Sequence, residues 1–272
     1  MALEQGAQQQ CNKTSVIKRP YLATISLSQL YTAEIDGGLI FMSSISDNIA
    51  RIRENIFKAA HGREVKLLAV SKTFPCGAIA EAIKAGQLCF GENYAQEAVE
   101  KVDFFHLNSP TVPLEWHFIG PLQSNKTRMV AEHFQWVQSV DRFKIARRLN
   151  DQRPLDLPPL NILVEVNIDE EDSKSGVSVN ELEDLLPELM TLPRLRLRGL
   201  MCIPKAQASE LEKRKTFAKM KTLFDRFNNQ GFKLDTLSMG MSADYVWAIE
   251  EGATLVRVGS SIFGQRNYSS KI

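Results

Sequence analysis

The stretch LSMGMSADYVWAIEEGATLVRVGSSIFG, residues 237–264, alternates short apolar runs with small, polar turns. Apolar runs bounded by glycine and serine predict buried strands, and the longer segment between them predicts a helix. The order is therefore strand, tight turn, helix, strand and tight turn. Both turns carry small residues whose backbone N–H groups are suited to binding a phosphate.

The same alternation extends back along the chain. Several of the apolar runs are rich in valine, isoleucine and leucine, as parallel strands buried on both faces require. Eight consecutive strand–helix units predict an α/β fold, a single (β/α)8 TIM barrel, and an open doubly wound sheet is the alternative. The predicted strands span residues 65–71, 88–92, 115–120, 134–140, 160–168, 195–203, 234–240 and 254–259.

A helix precedes the first predicted strand. Ile45, Ile49, Ile52 and Ile56 recur at helical spacing, and Gly62 is expected to end the helix. Only SSIFGQRNY directly follows the eighth strand. The leading helix is therefore expected to occupy the eighth helical position of the barrel, and no second domain is expected.

The first part of the chain has a different character. Residues 1–41 are polar or only weakly patterned, without the features of a signal peptide. We expect a poorly ordered N-terminal extension over 1–41, created by an early start codon, and a barrel domain over 42–272. The alternative for the extension is an added amphipathic helix.

Composition limits the classes of function. The 272 residues carry a net charge of +1, and no apolar run is long enough to span a membrane. Neither a nucleic acid nor a membrane is an expected partner. The four cysteines form no C-x-x-C pair and the histidines show no ligand spacing, which predicts reduced thiols, no metal site and a cytoplasmic protein.

Lys72 comes directly after the first predicted strand, at the barrel rim where active sites lie. A lysine amine partly enclosed at such a rim is a suitable nucleophile for a carbonyl group. The alternative is an ordinary rim lysine that points to water.

Three residues after the seventh and eighth strands form a candidate phosphate site. Ser242 is expected to cap the helix that follows it, while Gly259 and Ser260 offer unobstructed N–H groups. TIM barrels often bind phosphate at these two loops. Each residue alone has a structural explanation, but together with Lys72 they predict a carbonyl ligand that carries a phosphate.

Further polar residues interrupt the apolar strands. Arg257 is either a donor to a ring nitrogen or anion, or half of a buried ion pair. His117 and Asn93 are candidates to line the pocket, although His117 between two aromatic residues also fits a packed core. Glu165 is expected to pair with a barrel arginine.

At these residues the chain resembles the pyridoxal phosphate homeostasis protein family, also described as alanine racemase N-terminal-domain-like. The resemblance covers residues 43–264 and is carried by six motifs in order. They are AVSKTFP at 69–75, FGENYAQE at 90–97, WHFIGPLQSNK at 116–126, VNIDEEDSKSGV at 166–177, RGLMCIP at 198–204 and MGMSADYVWAIEEGATLVRVGSSIFG at 239–264.

The resemblance implies a fold-type III barrel that binds pyridoxal 5'-phosphate (PLP) as its cofactor. It implies that Lys72 forms the internal aldimine and that Arg257 faces the pyridine nitrogen. It further implies a phosphate site at Ser242, Gly259 and Ser260, and a cofactor lining of Asn93, His117 and Met201.

The resemblance also implies a function. An arginine keeps its proton, so the pyridine nitrogen opposite it stays unprotonated and the ring is a weaker electron sink. We therefore expect a PLP-binding protein of PLP homeostasis, not an enzyme, and one that hands the cofactor to apo-enzymes. Because no second domain of the racemase kind is expected, we also expect a monomer. The alternatives are a PLP-dependent amino-acid racemase and a Schiff-base aldolase that acts on a sugar phosphate without a cofactor.

Overall fold

The chain divides into two compact units, the first ending at Met42 and the second beginning at Ser43. In the first unit, two two-residue strands pair antiparallel. The expected extension over residues 1–41, poorly ordered or helical, otherwise lies outside the described residues. The computed structural model describes residues 44–169 and 175–265, with the two short strands Glu34–Ile35 and Gly38–Leu39.

In the second unit, eight parallel strands form a closed barrel, with the last strand hydrogen-bonded to the first. Closure confirms the predicted (β/α)8 barrel, and the open doubly wound sheet does not form. The strands are β1 Lys66–Val70, β2 Cys89–Glu92, β3 Glu115–Phe118, β4 Trp136–Val140, β5 Leu160–Glu165, β6 Leu195–Met201, β7 Thr236–Met241 and β8 Leu255–Val258.

Helices follow the strands in the predicted order, with one addition. The four-residue helix after β8 was not predicted, because so short a segment has no apolar period to read. The helices are α1 Ile45–Ala60, α2 Cys76–Lys84, α3 Ala95–Asn108, α4 Thr127–His133, α5 Phe143–Gln152, α6 Val179–Met190, α7 Glu210–Asn229, α8 Tyr245–Glu250 and α9 Ser260–Phe263. None of the described helices is both long and apolar enough to cross a membrane.

Helix α1 completes the outer ring of helices. It begins with a capping box, in which the Ser44 side chain and the Asp47 side chain each bond the other's backbone N–H. Ile49, Ile52 and Ile56 are buried along one face. The helix contacts α2, α8 and α9, so it fills the eighth helical position as predicted.

The inside of the barrel is partly polar. Ser238 on β7 bonds Gln138 on β4, and in a closed barrel two such distant strands meet only through the interior. Gln138 and Ser238 are both fully buried, and Arg257 is 4% exposed. Because TIM-barrel interiors are usually filled by branched apolar side chains, this polar filling requires a physical reason.

Candidate functional site

Lys72 lies in a strained turn immediately after β1. The turn closes with a hydrogen bond from the Phe74 N–H to the Ser71 carbonyl, 3.1 Å long. Thr73 has a φ of 69°, a left-handed conformation that a β-branched residue rarely adopts. The Thr73 N–H donates to Glu97 Oε1 at 2.6 Å, which holds the strained residue in place. The backbone around half-buried Lys72 is therefore fixed.

A buried ion network lies against this turn. The Lys101 ammonium donates to the Ser71 carbonyl at 2.9 Å, to Glu92 Oε1 at 2.8 Å and to Glu97 Oε1 at 2.7 Å. These three bonds use all three N–H donors of the lysine. Burial raises the pKa of Glu92, and the charge of Lys101 opposes that rise. The network ties the Lys72 turn to β2 and α3 at once.

The loops after β7 and β8 are joined by Ser242. Its Oγ accepts a hydrogen bond from the Gly259 N–H at 3.2 Å, so its own O–H is left to donate to an anion. The expectation that Ser242 caps the following helix was wrong. Helix α8 begins at Tyr245, and Asp244 is the residue at its N-cap.

Asp244 instead anchors the loop that carries Ser242. Its Oδ1 accepts from the Met241 N–H at 2.7 Å, and its Oδ2 pairs with Lys213 Nζ at 2.9 Å. Both charged groups are buried. An acidic residue with two such partners fixes the loop, which is why the helix starts later than the sequence pattern indicated.

The Lys72 turn and the β8–α9 loop are neighbours. Val258 lies opposite Ala69 in the barrel register, and the rings of Phe74 and Phe263 are 5.1 Å apart. A Cβ at Gly259 would lie 3.1 Å from the Val70 carbonyl oxygen, so the missing side chain permits this approach. Within the described part of the chain, nothing accepts a hydrogen bond from the N–H of Ser260, which leaves that donor for an anion.

Arg257 is held inside the barrel by neutral acceptors. Nη1 donates to Ser238 Oγ at 2.6 Å and Nη2 donates to the Cys202 carbonyl at 2.8 Å. Across residues 44–169 and 175–265 no carboxylate forms a salt bridge with it, so the predicted alternative of a buried ion pair is not found. Burial lowers the pKa of Arg257, but a guanidinium remains protonated at neutral pH.

Glu165 ends β5 and lies near Arg257 without forming a salt bridge to any described residue. The expected pairing with a barrel arginine therefore does not form. Burial raises the pKa of Glu165 to about 7; the charge of Arg257 opposes this rise and that of Asp141 adds to it. The mouth of the barrel thus holds a carboxyl group that titrates near neutral pH.

The three remaining predicted residues occupy different places. Asn93 follows β2, and its buried Oδ1 has no hydrogen-bond partner among the described residues. Met201 is buried beside Trp136 and Leu163 in a small apolar cluster. His117 is fully buried in the barrel interior, with its ring stacked on that of Trp136 at 5.0 Å.

The structure therefore brings Lys72, Ser242, Gly259 and Ser260 to one rim and turns Arg257 into the barrel beneath them. An amine, a cluster of N–H and O–H donors and a buried cation fit the aldehyde, phosphate and ring nitrogen of PLP. The unpartnered Asn93 oxygen leaves one further acceptor for a ligand. No metal-binding cluster of His, Cys, Asp or Glu occurs in the part of the chain that the structure describes.

Sequence reasoning missed the residues that support these groups. Gln138 and Ser238 bond with each other inside the barrel, and Glu97 and Lys101 hold the Lys72 turn from α3. A signal for the first pair existed, since both are polar residues within otherwise apolar strands. The second pair lies on a helix and reads as ordinary surface charge.

Comparison with known proteins identifies close relatives. Residues 40–267 match the family model for the alanine racemase N-terminal domain. The chain is similar to the pyridoxal phosphate homeostasis protein of Escherichia coli (strain K12), with 52% identity over 235 residues, 85% of this chain and 100% of that protein. The curated relatives are named homeostasis proteins and not enzymes.

Solved structures agree with this match. The chain is similar to PipY of Synechococcus elongatus with PLP bound, at 35% identity and a TM-score of 0.73, covering 81% of this chain and 100% of PipY. It is also similar to alanine racemase of Corynebacterium glutamicum, at 17% identity and a TM-score of 0.60, covering 83% of this chain and 63% of the racemase. The second likeness concerns the fold alone.

We predict that Lys101→Met strongly destabilises the protein. The substitution leaves the Glu92 and Glu97 carboxylates without their shared ammonium, and removing one partner of a buried ion pair costs about 3–5 kcal/mol. Chemical denaturation measures the loss in the free energy of unfolding. Lys84→Met, at an exposed position of α2, is the matched control and should change the free energy of unfolding by less than about 0.5 kcal/mol. Equal effects of the two substitutions would contradict the network.

We predict that Glu165 makes the protein less stable as the pH rises. Its pKa is about 7 in the folded chain against an ordinary 4.5, so its contribution is complete below pH 4.5 and is lost as the pH rises through 7. The loss approaches about 3 kcal/mol at alkaline pH. Denaturation of wild type and Glu165→Gln at pH 5 and pH 8 should show the variant gaining relative stability at pH 8. Parallel pH profiles would disprove the raised pKa.

Proposed function

The chain belongs to the pyridoxal phosphate homeostasis protein family, and on that premise we propose that it holds PLP reversibly through Lys72 at the barrel rim. The observation that carries this proposal is the contact between the Lys72 turn and the phosphate-suited loops after β7 and β8. That arrangement matches a ligand with an aldehyde at one end and a phosphate at the other.

Lys72 is the proposed attachment point. When bound, PLP supplies an aldehyde that combines reversibly with a primary amine. The turn from Ser71 to Phe74 holds the lysine backbone in one conformation, so the backbone loses little further conformational entropy when the amine engages a ligand. Partial burial of the side chain limits the access of water to that bond.

The phosphate is proposed to bind at Ser242, Gly259 and Ser260. The Ser242 hydroxyl donates, since its oxygen already accepts from Gly259, and the Ser260 N–H provides a second donor. Gly259 contributes by having no side chain, because a Cβ would press on the Val70 carbonyl. The loop that carries Ser242 is fixed by Asp244, which accepts from the Met241 N–H and pairs with Lys213.

Arg257 is proposed to face the pyridine nitrogen. A permanently charged donor keeps that nitrogen unprotonated, which weakens the ring as an electron sink and favours holding the cofactor over turning over amino acids. Asn93 and Met201 are proposed to line the cofactor, and His117 is proposed to lie beneath it in the barrel interior. The role supported best is therefore storage and delivery of PLP.

The cellular setting is also a proposal. We place the protein in the cytoplasm, because Cys76 and Cys89 are free thiols and the relatives are bacterial. It is proposed to work as a monomer and to deliver PLP to apo-enzymes. The near-zero net charge supports a role without nucleic acid or membrane partners.

We predict that the purified protein takes up PLP and becomes yellow, and that borohydride then fixes a pyridoxyl group on Lys72. Lys72→Ala should lose the absorbance and keep its cooperative unfolding, because the side chain lies at the rim. Lys126→Ala, in the loop after β3, is the matched control and should behave as wild type. Absorption spectra, peptide mapping and thermal unfolding give these readouts. A colourless protein, or a pyridoxyl group on another lysine, would refute the assignment.

Delivery is distinguished from catalysis by a second measurement. The PLP-loaded protein is incubated with L-alanine in deuterated water, and exchange of the α-proton is followed by NMR. We expect no exchange above the rate of free PLP at the same concentration. Faster exchange would favour the racemase alternative.

A further inference from the structure

A chain of hydrogen bonds begins at Arg257 and crosses the barrel. Arg257 Nη1 donates to Ser238 Oγ at 2.6 Å, and Ser238 Oγ lies 2.7 Å from Gln138 Oε1. Ser238 is on β7 and Gln138 on β4, so the chain passes through the interior from one wall to the other. All three side chains are buried.

The chain continues from Gln138 to the surface. Gln138 Nε2 lies 2.9 Å from His117 Nδ1, and His117 Nε2 lies 2.7 Å from Glu115 Oε1. Glu115 is paired with Lys66 at 2.6 Å, and these last two side chains are 30% and 41% exposed. Glu115 and Lys66 are the first residues of β3 and β1, so the chain ends at the barrel face opposite the Lys72 rim.

Each bond in the chain has only one possible direction. Arginine has no acceptor, so Ser238 Oγ accepts from it, and Gln138 Oε1 carries no proton, so Ser238 Oγ donates to it. The amide of Gln138 then donates to His117 Nδ1, which leaves the His117 proton on Nε2, facing Glu115. The orientation of the Gln138 amide thereby fixes His117 as a neutral imidazole with its proton on Nε2.

We propose that Gln138 and His117 are positioning residues that orient the Arg257 guanidinium toward the cofactor. The proposal rests on the proposed function, in which Arg257 faces the ring nitrogen. A planar guanidinium turns about its bonds unless its acceptors are fixed. The Cys202 carbonyl is backbone, whereas the Ser238 hydroxyl can rotate and is oriented by its bond to Gln138. Gln138 is in turn held by His117, whose ring is clamped between its two hydrogen bonds and the face of Trp136.

The direction of the hydrogen bonds is tested first, in the protein without PLP. Nitrogen-15 NMR of the histidine rings at neutral pH should show His117 as the neutral Nε2–H tautomer. Gln138→Glu removes the N–H that points at Nδ1, so His117 should gain a second proton between two carboxylates or change tautomer. A wild-type His117 with its proton on Nδ1, or with both protons, would overturn the proposal.

The effect on Arg257 is tested with PLP. Gln138→Met keeps the side-chain volume and breaks two links, and Ser238→Ala removes one hydroxyl. Each should weaken PLP binding about tenfold, which is the loss in affinity expected for about one hydrogen bond. Each should also shift the absorption maximum of bound PLP. Gln87→Met is the matched control, because Gln87 is also a buried amide, and its partners among the described residues are the backbone of β1 and β2 and Arg53.

The outcomes separate this inference from the proposed function. If wild type binds PLP and the Gln138, Ser238 and Gln87 variants all bind and absorb alike, the chain of hydrogen bonds has only a structural role and the inference fails. If wild type does not bind PLP, the proposed function fails. The His117 tautomer still decides the direction of the hydrogen bonds between Arg257 and Glu115. Should Gln138→Met fail to fold, Ser238→Ala carries the same test with a smaller change.

Discussion

Closure of the barrel between β8 and β1 is the constraint on which the rest of the structure depends. This pairing puts Arg257 opposite Leu68 and Val258 opposite Ala69, so the two ends of a chain segment of almost two hundred residues lie side by side. Lys72 and Ser260 follow these strands directly and therefore meet at one rim. Without closure, the amine and the phosphate-suited loops would lie on opposite edges of a sheet.

Closure also creates an interior that must hold a buried cation. Charges are stable inside proteins only when hydrogen bonds replace the lost water, and Arg257 has neutral acceptors instead of a salt bridge. The nearby Glu165 is buried enough for its pKa to rise to about 7 and does not approach to form an ion pair. The guanidinium is consequently left with donors that a ligand in the barrel mouth can use.

The Lys72 turn, at the rim after β1, also depends on hydrogen bonds from buried groups. A β-branched residue at a φ of 69° is unfavourable by itself, and it persists because Glu97 bonds its N–H and Lys101 binds both Glu97 and the Ser71 carbonyl. The strained backbone of Thr73 and the Glu97–Lys101 ion pair that stabilises it therefore form one hydrogen-bonded cluster. Its consequence is a lysine backbone with a single conformation.

Much of this was predictable from the sequence, and the failures have physical causes. The eight strands followed from apolar runs and turn residues, and the rim positions of Lys72 and Ser260 followed from the ends of those strands. Ser242 was misjudged as a helix cap because the pattern cannot show that Asp244, paired with Lys213, takes the N-cap position.

The supporting network was hidden for a different reason. Gln138 and His117 join side chains from strands far apart in sequence, and a pattern along the chain carries no information about which of them meet. Lys101 likewise looks like a surface lysine of an amphipathic helix until the fold places it under the Ser71 carbonyl.

A crystal structure of the protein grown with PLP tests the central claim most directly. Our account predicts continuous electron density from Lys72 Nζ to the cofactor, the phosphate on Ser242 and Ser260, and Arg257 opposite the ring nitrogen. Cofactor density at any other lysine, or a phosphate away from the loops after β7 and β8, would contradict it.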